Sequence, residues 1–172
     1  MISSRDFIAE TLSALAILMT NLSRFSEEIV YWTTYEFGLI QLDDSFASGS
    51  SIMPQKKNAD VAELTRGRFS QVLGALVDLL SNLKSLPLGY NRDLQEDKPP
   101  LWRSFDTVTA CLKILPKMSQ TLTFNTDRMA QLCQANFSTA TELANYLVQE
   151  KGIPFRPVSY THLRAHETRE DR

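Results

Sequence analysis

The first 37 residues contain no glycine and no proline, and this long uninterrupted run restricts the fold more than any other feature of the chain. Phe7, Ile8, Leu12, Leu15, Leu18, Met19, Leu22, Phe25, Ile29 and Val30 recur mostly at three- and four-residue steps, the spacing of an amphipathic helix. A helix over about residues 4–36 is ~50 Å long at 1.5 Å per residue. That exceeds the usual helix of a globular protein. Such a helix needs apolar partners along its whole length, so the expected architecture is all-α, a long-helix bundle. Ser3 or Ser4 is the expected N-cap. Asp6 suits the helix dipole there, whereas Arg5 opposes it.

Further helices follow in order. A second begins near Asp60, with Val61, Leu64, Phe69, Val72, Leu73, Leu76, Leu79, Leu80 and Leu83 as its expected buried face. Gly67 and Gly74 are expected to permit close helix contact. Leu86 to Gly89 ends it. Pro99 and Pro100 open a third, with Leu101, Phe105, Val108, Leu112 and Leu115 on its apolar face. Pro116 is expected to kink or break it, leaving a separate stretch over about 117–123. Thr126 is placed to cap a short helix over Asp127 to Gln134. Thr139 and Glu142 have capping-box spacing before a last helix, and Gly152 ends it.

Charge and composition narrow the function classes. A net charge of −2 gives no basic field for nucleic acid. No apolar run is long enough to cross a membrane, and no basic-then-apolar leader opens the chain. Cys111 and Cys133 are isolated, which fits a reduced, cytoplasmic protein.

Between the first two helical runs lies a segment of small polar residues, Ser48 to Asn58, with no helical period. Gly49 permits unusual backbone angles and Pro54 fixes its own, so the segment reads as a loop. Two readings are open. One is a polar connector with solvated lysines. The other is an anion site, with backbone N–H groups around Gly49 to Ser51 as a nest, charge from Lys56 and a directional amide from Asn58. A second polar segment, Tyr90 to Lys98, by composition reads as a solvated loop.

Gly49-Ser50-Ser51-Ile52-Met53-Pro54-Gln55-Lys56-Lys57-Asn58 resembles the signature loop of the fumarase/aspartase superfamily. The Gln55-Lys56-Lys57-Asn58 variant, with Asp60 and Glu63 after it, is similar to the argininosuccinate lyase family. Tyr90-Asn91-Arg92-Asp93-Leu94-Gln95-Glu96-Asp97-Lys98, Ser3 to Phe7 and Gly152 to Arg156 also look like segments of that family. Ala59 departs from it, standing where a proline is usual. The resemblance implies elimination of fumarate from argininosuccinate to give arginine, with no metal and no organic cofactor. It implies Ser50 as the base that removes the proton beside a carboxylate, and Glu63 as the group that orients a histidine from elsewhere in the protein. Arg5, Ser51, Lys56, Asn58, Tyr90, Gln95 and Lys98 become expected substrate contacts. The expected partner is a homotetramer whose subunits share each active site.

Residues 1–125 are accordingly expected to form part of a central helical-bundle domain and 126–156 the start of a C-terminal helical region. Residues 157–172 change character and resemble a translated sequencing adapter. His162 and His166, four residues apart, stand there without a third metal ligand nearby. Family members are longer, so an internal fragment, inactive by itself, is expected. Competing readings are a sister fumarate-releasing lyase, a non-enzymatic δ-crystallin-like protein, and a helix-bundle association module.

Overall fold

The computed structural model describes residues 4–49, 52–53, 57–135 and 140–154. Helix α1 runs Asp6–Trp32, 27 residues. It is shorter than its apolar period suggests, and each end has a local cause. The expected serine cap is not made. Arg5 precedes the helix without a capping side chain, and the Ser4 hydroxyl donates to the Asp6 carboxylate at 3.2 Å. Ser3 lies outside the described residues. At the other end the Thr33 and Thr34 hydroxyls donate to the Val30 and Tyr31 carbonyls at 2.9 and 2.7 Å. Such side chains offer the backbone an alternative to further helix. Gly38, at φ +59, then turns the chain so that the Leu39 N–H reaches the Trp32 carbonyl at 2.9 Å.

The stretch after Gly38 is more ordered than the expected linker. Strand β1 (Ile40–Gln41) leads to a 3₁₀ turn at Asp44–Phe46, capped by the Asp43 carboxylate, which accepts from the Ser45 N–H at 2.9 Å. Strands β2 (Ser48–Gly49) and β3 (Lys57–Asn58) pair antiparallel, Ser48 opposite Asn58 and Gly49 opposite Lys57. The polar loop therefore leaves this ribbon at Gly49 and returns to it at Lys57. Gly49 does not use the left-handed region expected of it, because a strand residue is extended; among the described residues the glycines with positive φ are Gly38 and Gly152.

Helices α2 (Asp60–Leu83) and α3 (Lys98–Gln120) complete the layer. α1 and α2 run antiparallel: Ile8 and Leu12 pack with Ala75 and Leu79, while Glu27, far along α1, pairs with Arg66 near the start of α2. α3 returns parallel to α1, adding Val108 and Cys111 to a second cluster with Ala16, Met19 and Val72. Strand β4 (Thr123–Phe124) ends this unit by pairing with β1, Ile40 opposite Phe124.

The buried faces differ from the expected stripes. On α2 they are Ala62, Thr65, Val72, Ala75 and Leu79; Leu64, Leu73 and Leu80 are exposed. On α3 Ser104, Thr107 and Cys111 are buried, while Phe105 and Leu112 are exposed. Small residues take a large share of these buried faces, and the Ser104 hydroxyl satisfies itself on the Pro100 carbonyl at 2.8 Å. Among the described residues Gly67 and Gly74 do not provide close contact, since nothing lies within 4 Å of where a Cβ would stand. Pro116 does not break α3. It sits exposed one turn from the end, and the Ser119 hydroxyl donates to the Leu115 carbonyl at 2.8 Å beside it. A proline so placed removes one helical hydrogen bond near a terminus where the ladder is already ending.

Residue contacts divide the chain into two compact units, Met1–Asn125 and Thr126–Arg172. In the second, α4 spans Thr126–Ala135 and α5 spans Ala140–Lys151. Thr139 lies outside the described residues. Gly152, at φ +62, closes α5, with its own N–H on the Val148 carbonyl at 3.1 Å.

Candidate functional site

The expected site residues gather at the two ends of the α1/α2 pair. At the first end, the close of α1 and the start of α2 enclose a crevice of about 880 Å³. Thr33, Thr34, Met53, Lys57, Asn58 and Glu63 contribute to its walls. Glu63 is held by the first turn of α2, its N–H on the Ala59 carbonyl at 2.9 Å, and its carboxylate is at the helix end that favours negative charge. Asn58 is half-buried in β3 and carries both donor and acceptor atoms. Lys57 forms an ion pair with Asp44, with both side chains largely in water. Hydrogen bonds from the Ser45 hydroxyl and N–H hold the Asp43 carboxyl below its usual range. Ser50, Ser51 and Lys56 lie outside the described residues.

Across the same end, the Arg66 guanidinium donates to Glu27 at 2.5 Å. That bond lowers the Glu27 pKa and raises that of Arg66.

The second end is built around a carboxylate that the sequence did not single out. Asp97 precedes α3 in the N-cap position, yet makes no capping hydrogen bond. Its carboxylate instead accepts from Arg5 Nε and from Lys98 Nζ, the latter at 2.8 Å. The Asp97 side chain is 2% exposed, against 15% for Arg5 and 57% for Lys98. Burial pushes the Asp97 pKa up, but the hydrogen bonds from Lys98 and Arg5 outweigh it, and the net shift is downward. A solvated Arg5 is thus excluded. The segment before Asp97 is not a free loop either. A 3₁₀ turn at Arg92–Gln95 buries Leu94, and Asn82 of α2 donates to the Asp93 carbonyl at 3.0 Å. That anchoring leaves Tyr90 and Gln95 exposed at the surface. Asp97 stood inside the quoted motif; its burial depends on α1 docking beside α3, which no local pattern announces.

Within one chain these two groups are not brought together. Glu63 and Asn58 sit where α1 ends, Arg5 and Lys98 where it starts, a separation of about 40 Å for 27 residues of helix. Among the described residues there is no cluster of metal-ligating side chains, and no helix is long and apolar enough to cross a membrane. His162 and His166 lie outside the described residues.

Residues 1–74 match a protein family described as "Lyase". An argininosuccinate lyase of Syntrophus aciditrophicus is 55% identical over 155 residues, 90% of this chain and 33% of that protein. One from Methanothermobacter thermautotrophicus is 52% identical over the same share of the chain and 33% of its own length. The chain therefore spans about a third of the length of these relatives. Among solved structures, EDDS lyase in complex with formate is 34% identical, with a TM-score of 0.79 over 96% of this chain and 33% of its own. A variant of EDDS lyase holds bound fumarate, at 33% identity and a TM-score of 0.79, over 96% of this chain and 33% of its own. A class II fumarase from Schistosoma mansoni, at 16% identity and a TM-score of 0.75, covers 92% of this chain and 36% of its own and shares the fold.

Proposed function

We propose that this chain, which belongs to the argininosuccinate lyase family, supplies two portions of an active site that eliminates fumarate from argininosuccinate and leaves arginine. The observation that carries the proposal is the identity to argininosuccinate lyases across both polar segments, at opposite ends of the α1/α2 pair. The fumarate held by an EDDS lyase variant of the same fold agrees with fumarate as the product.

In this reading Ser50 removes the proton beside a substrate carboxylate. A serine hydroxyl is a very weak acid by itself, so its activation rests on neighbours. Lys56, Asn58 and the loop amides stabilise the negative charge that builds on that carboxylate, and Ser51 contacts the substrate. Glu63 orients a histidine contributed from outside this stretch. Arg5, Tyr90, Gln95 and Lys98 contact the substrate, with the cations meeting its carboxylates. The reaction asks for no metal and no organic cofactor, and we assign it to the cytoplasm.

Because a 40 Å separation is far beyond the reach of one small substrate, the two ends serve different active sites, each completed by other subunits of a homotetramer. Leu73, Val77 and Leu80 along α2 and Phe105 and Leu112 on α3 are exposed in the single chain, which suits helix partners from further copies.

The test is a chimaera in which the 155 matched residues of this chain replace their counterparts in the Syntrophus aciditrophicus enzyme. It is expected to release fumarate from argininosuccinate, followed by ultraviolet absorbance. Ser50→Ala in that chimaera is expected to lower kcat by about a thousandfold, the usual scale for losing a proton-transfer group. Undiminished turnover in the serine variant would remove the assignment. The isolated chain is expected to release none.

A further inference from the structure

Asp97 is the one charged side chain that is fully buried among the described residues, and the mechanism above does not use it. Both of its oxygens are engaged, one by Arg5 ahead of α1 and the other by Lys98 in the first turn of α3. A carboxylate in the N-cap position ordinarily bonds to the free N–H groups of its own helix. This one faces the two cations instead, and α3 begins without a capping side chain. The arrangement places opposite charge between two like charges that otherwise repel. It also restrains Lys98, whose side chain is mostly in water and whose ammonium retains further donors beyond the one that Asp97 accepts. A lysine without such a partner samples many rotamers, and immobilising it on binding costs free energy each time.

We propose that Asp97 is a positioning residue that clamps the Arg5 guanidinium and the Lys98 ammonium into one fixed two-cation platform for a substrate carboxylate. The inference rests on the lyase reading, in which Arg5 and Lys98 touch the substrate, and it adds the group that sets their geometry. Asp97 touches no reacting atom. Its removal therefore weakens substrate and transition state alike, and the loss falls on KM rather than on kcat.

The experiment uses the same chimaera. Asp97→Asn is expected to raise KM for argininosuccinate by about tenfold or more, with kcat within about threefold of the parent. Asp97→Glu keeps the charge but displaces it by one methylene. It is expected to raise KM severalfold with kcat little changed, and it decides the matter if the asparagine variant does not fold. Combining Asp97→Asn with Lys98→Met is expected to cost less than the product of the two single effects, since one acts through the other. A lowered unfolding midpoint with unchanged KM in both Asp97 variants would reduce the residue to a buried ion pair and overturn the proposal. So would a loss confined to kcat. Absence of turnover in the unsubstituted chimaera counts against the lyase reading alone; the clamp is then read from argininosuccinate affinity by titration calorimetry, with the same ratios expected.

Discussion

The two ends of the α1/α2 pair use charge in opposite ways. At the loop end, Lys57 and Asp44 pair with side chains 61% and 84% exposed. At the other end, Asp97 meets Arg5 at 2% and 15% exposure. Exposed ion pairs gain little, because water and salt screen them and two long side chains must be held still. A buried pair is different: losing one partner strands the other charge without hydration. Breaking the Lys57–Asp44 pair thus costs little, while breaking the Asp97 pair leaves a buried charge without a partner.

The contrast breaks if both pairs respond alike to removal. Asp97→Ala is expected to destabilise the fold by about 3 kcal/mol or more, seen as a lower midpoint in urea unfolding. Lys57→Ala, under the same conditions, is expected to move the midpoint no further than an ordinary surface substitution does. Equal shifts would mean that exposure does not separate the two ends.

Part of this arrangement was legible in the residues. The long glycine- and proline-free run announced α1, and Asp60 and Lys98 open helices close to where the proline and charge signals put them. The faces were less legible. Apolar periodicity on α2 and α3 does not say which side packs inside the chain, and the covered side is the one lined by Ala62, Ala75, Ser104 and Cys111. Leu73, Leu80 and Phe105 belong to the same hydrophobic stripe by spacing but find no cover within these three helices. Pro116 misled for a related reason. Its cost depends on how near the helix end lies, and that end is set by the return to β1 through Thr123 and Phe124. Arg5 and Asp97, 92 residues apart in sequence, form their pair only after two helices have packed.

Acid sharpens the comparison. The Asp97 pKa lies below its ordinary 3.8 in the folded chain. The unfolded chain therefore takes up this proton first as pH falls. The stabilisation is fully present above about pH 4 and is lost as pH drops through the folded pKa. Urea midpoints measured from neutral pH downward are expected to hold above that point and then fall. Asp97→Asn is expected to flatten the acid limb. A limb of unchanged steepness in that variant would assign it to other carboxylates.

The smallest expected effect concerns the exit of the polar loop. Ala59 stands between β3 and α2 with φ −81, is 4% exposed and borders the crevice. That φ is at the edge of proline's range, and Asn58 before it is in a strand, the backbone that a following proline prefers. Ala59→Pro is therefore expected to stabilise the fold by about 0.5 kcal/mol, chiefly by restricting the unfolded chain. The gain should appear as a slightly higher urea midpoint with an unchanged slope. The proline chimaera is expected to keep its KM, since position 59 lies beyond the ribbon in which Gly49 pairs with Lys57 and Ser48 with Asn58. A destabilised proline variant would show instead that the buried surroundings of Ala59 leave no room for the ring.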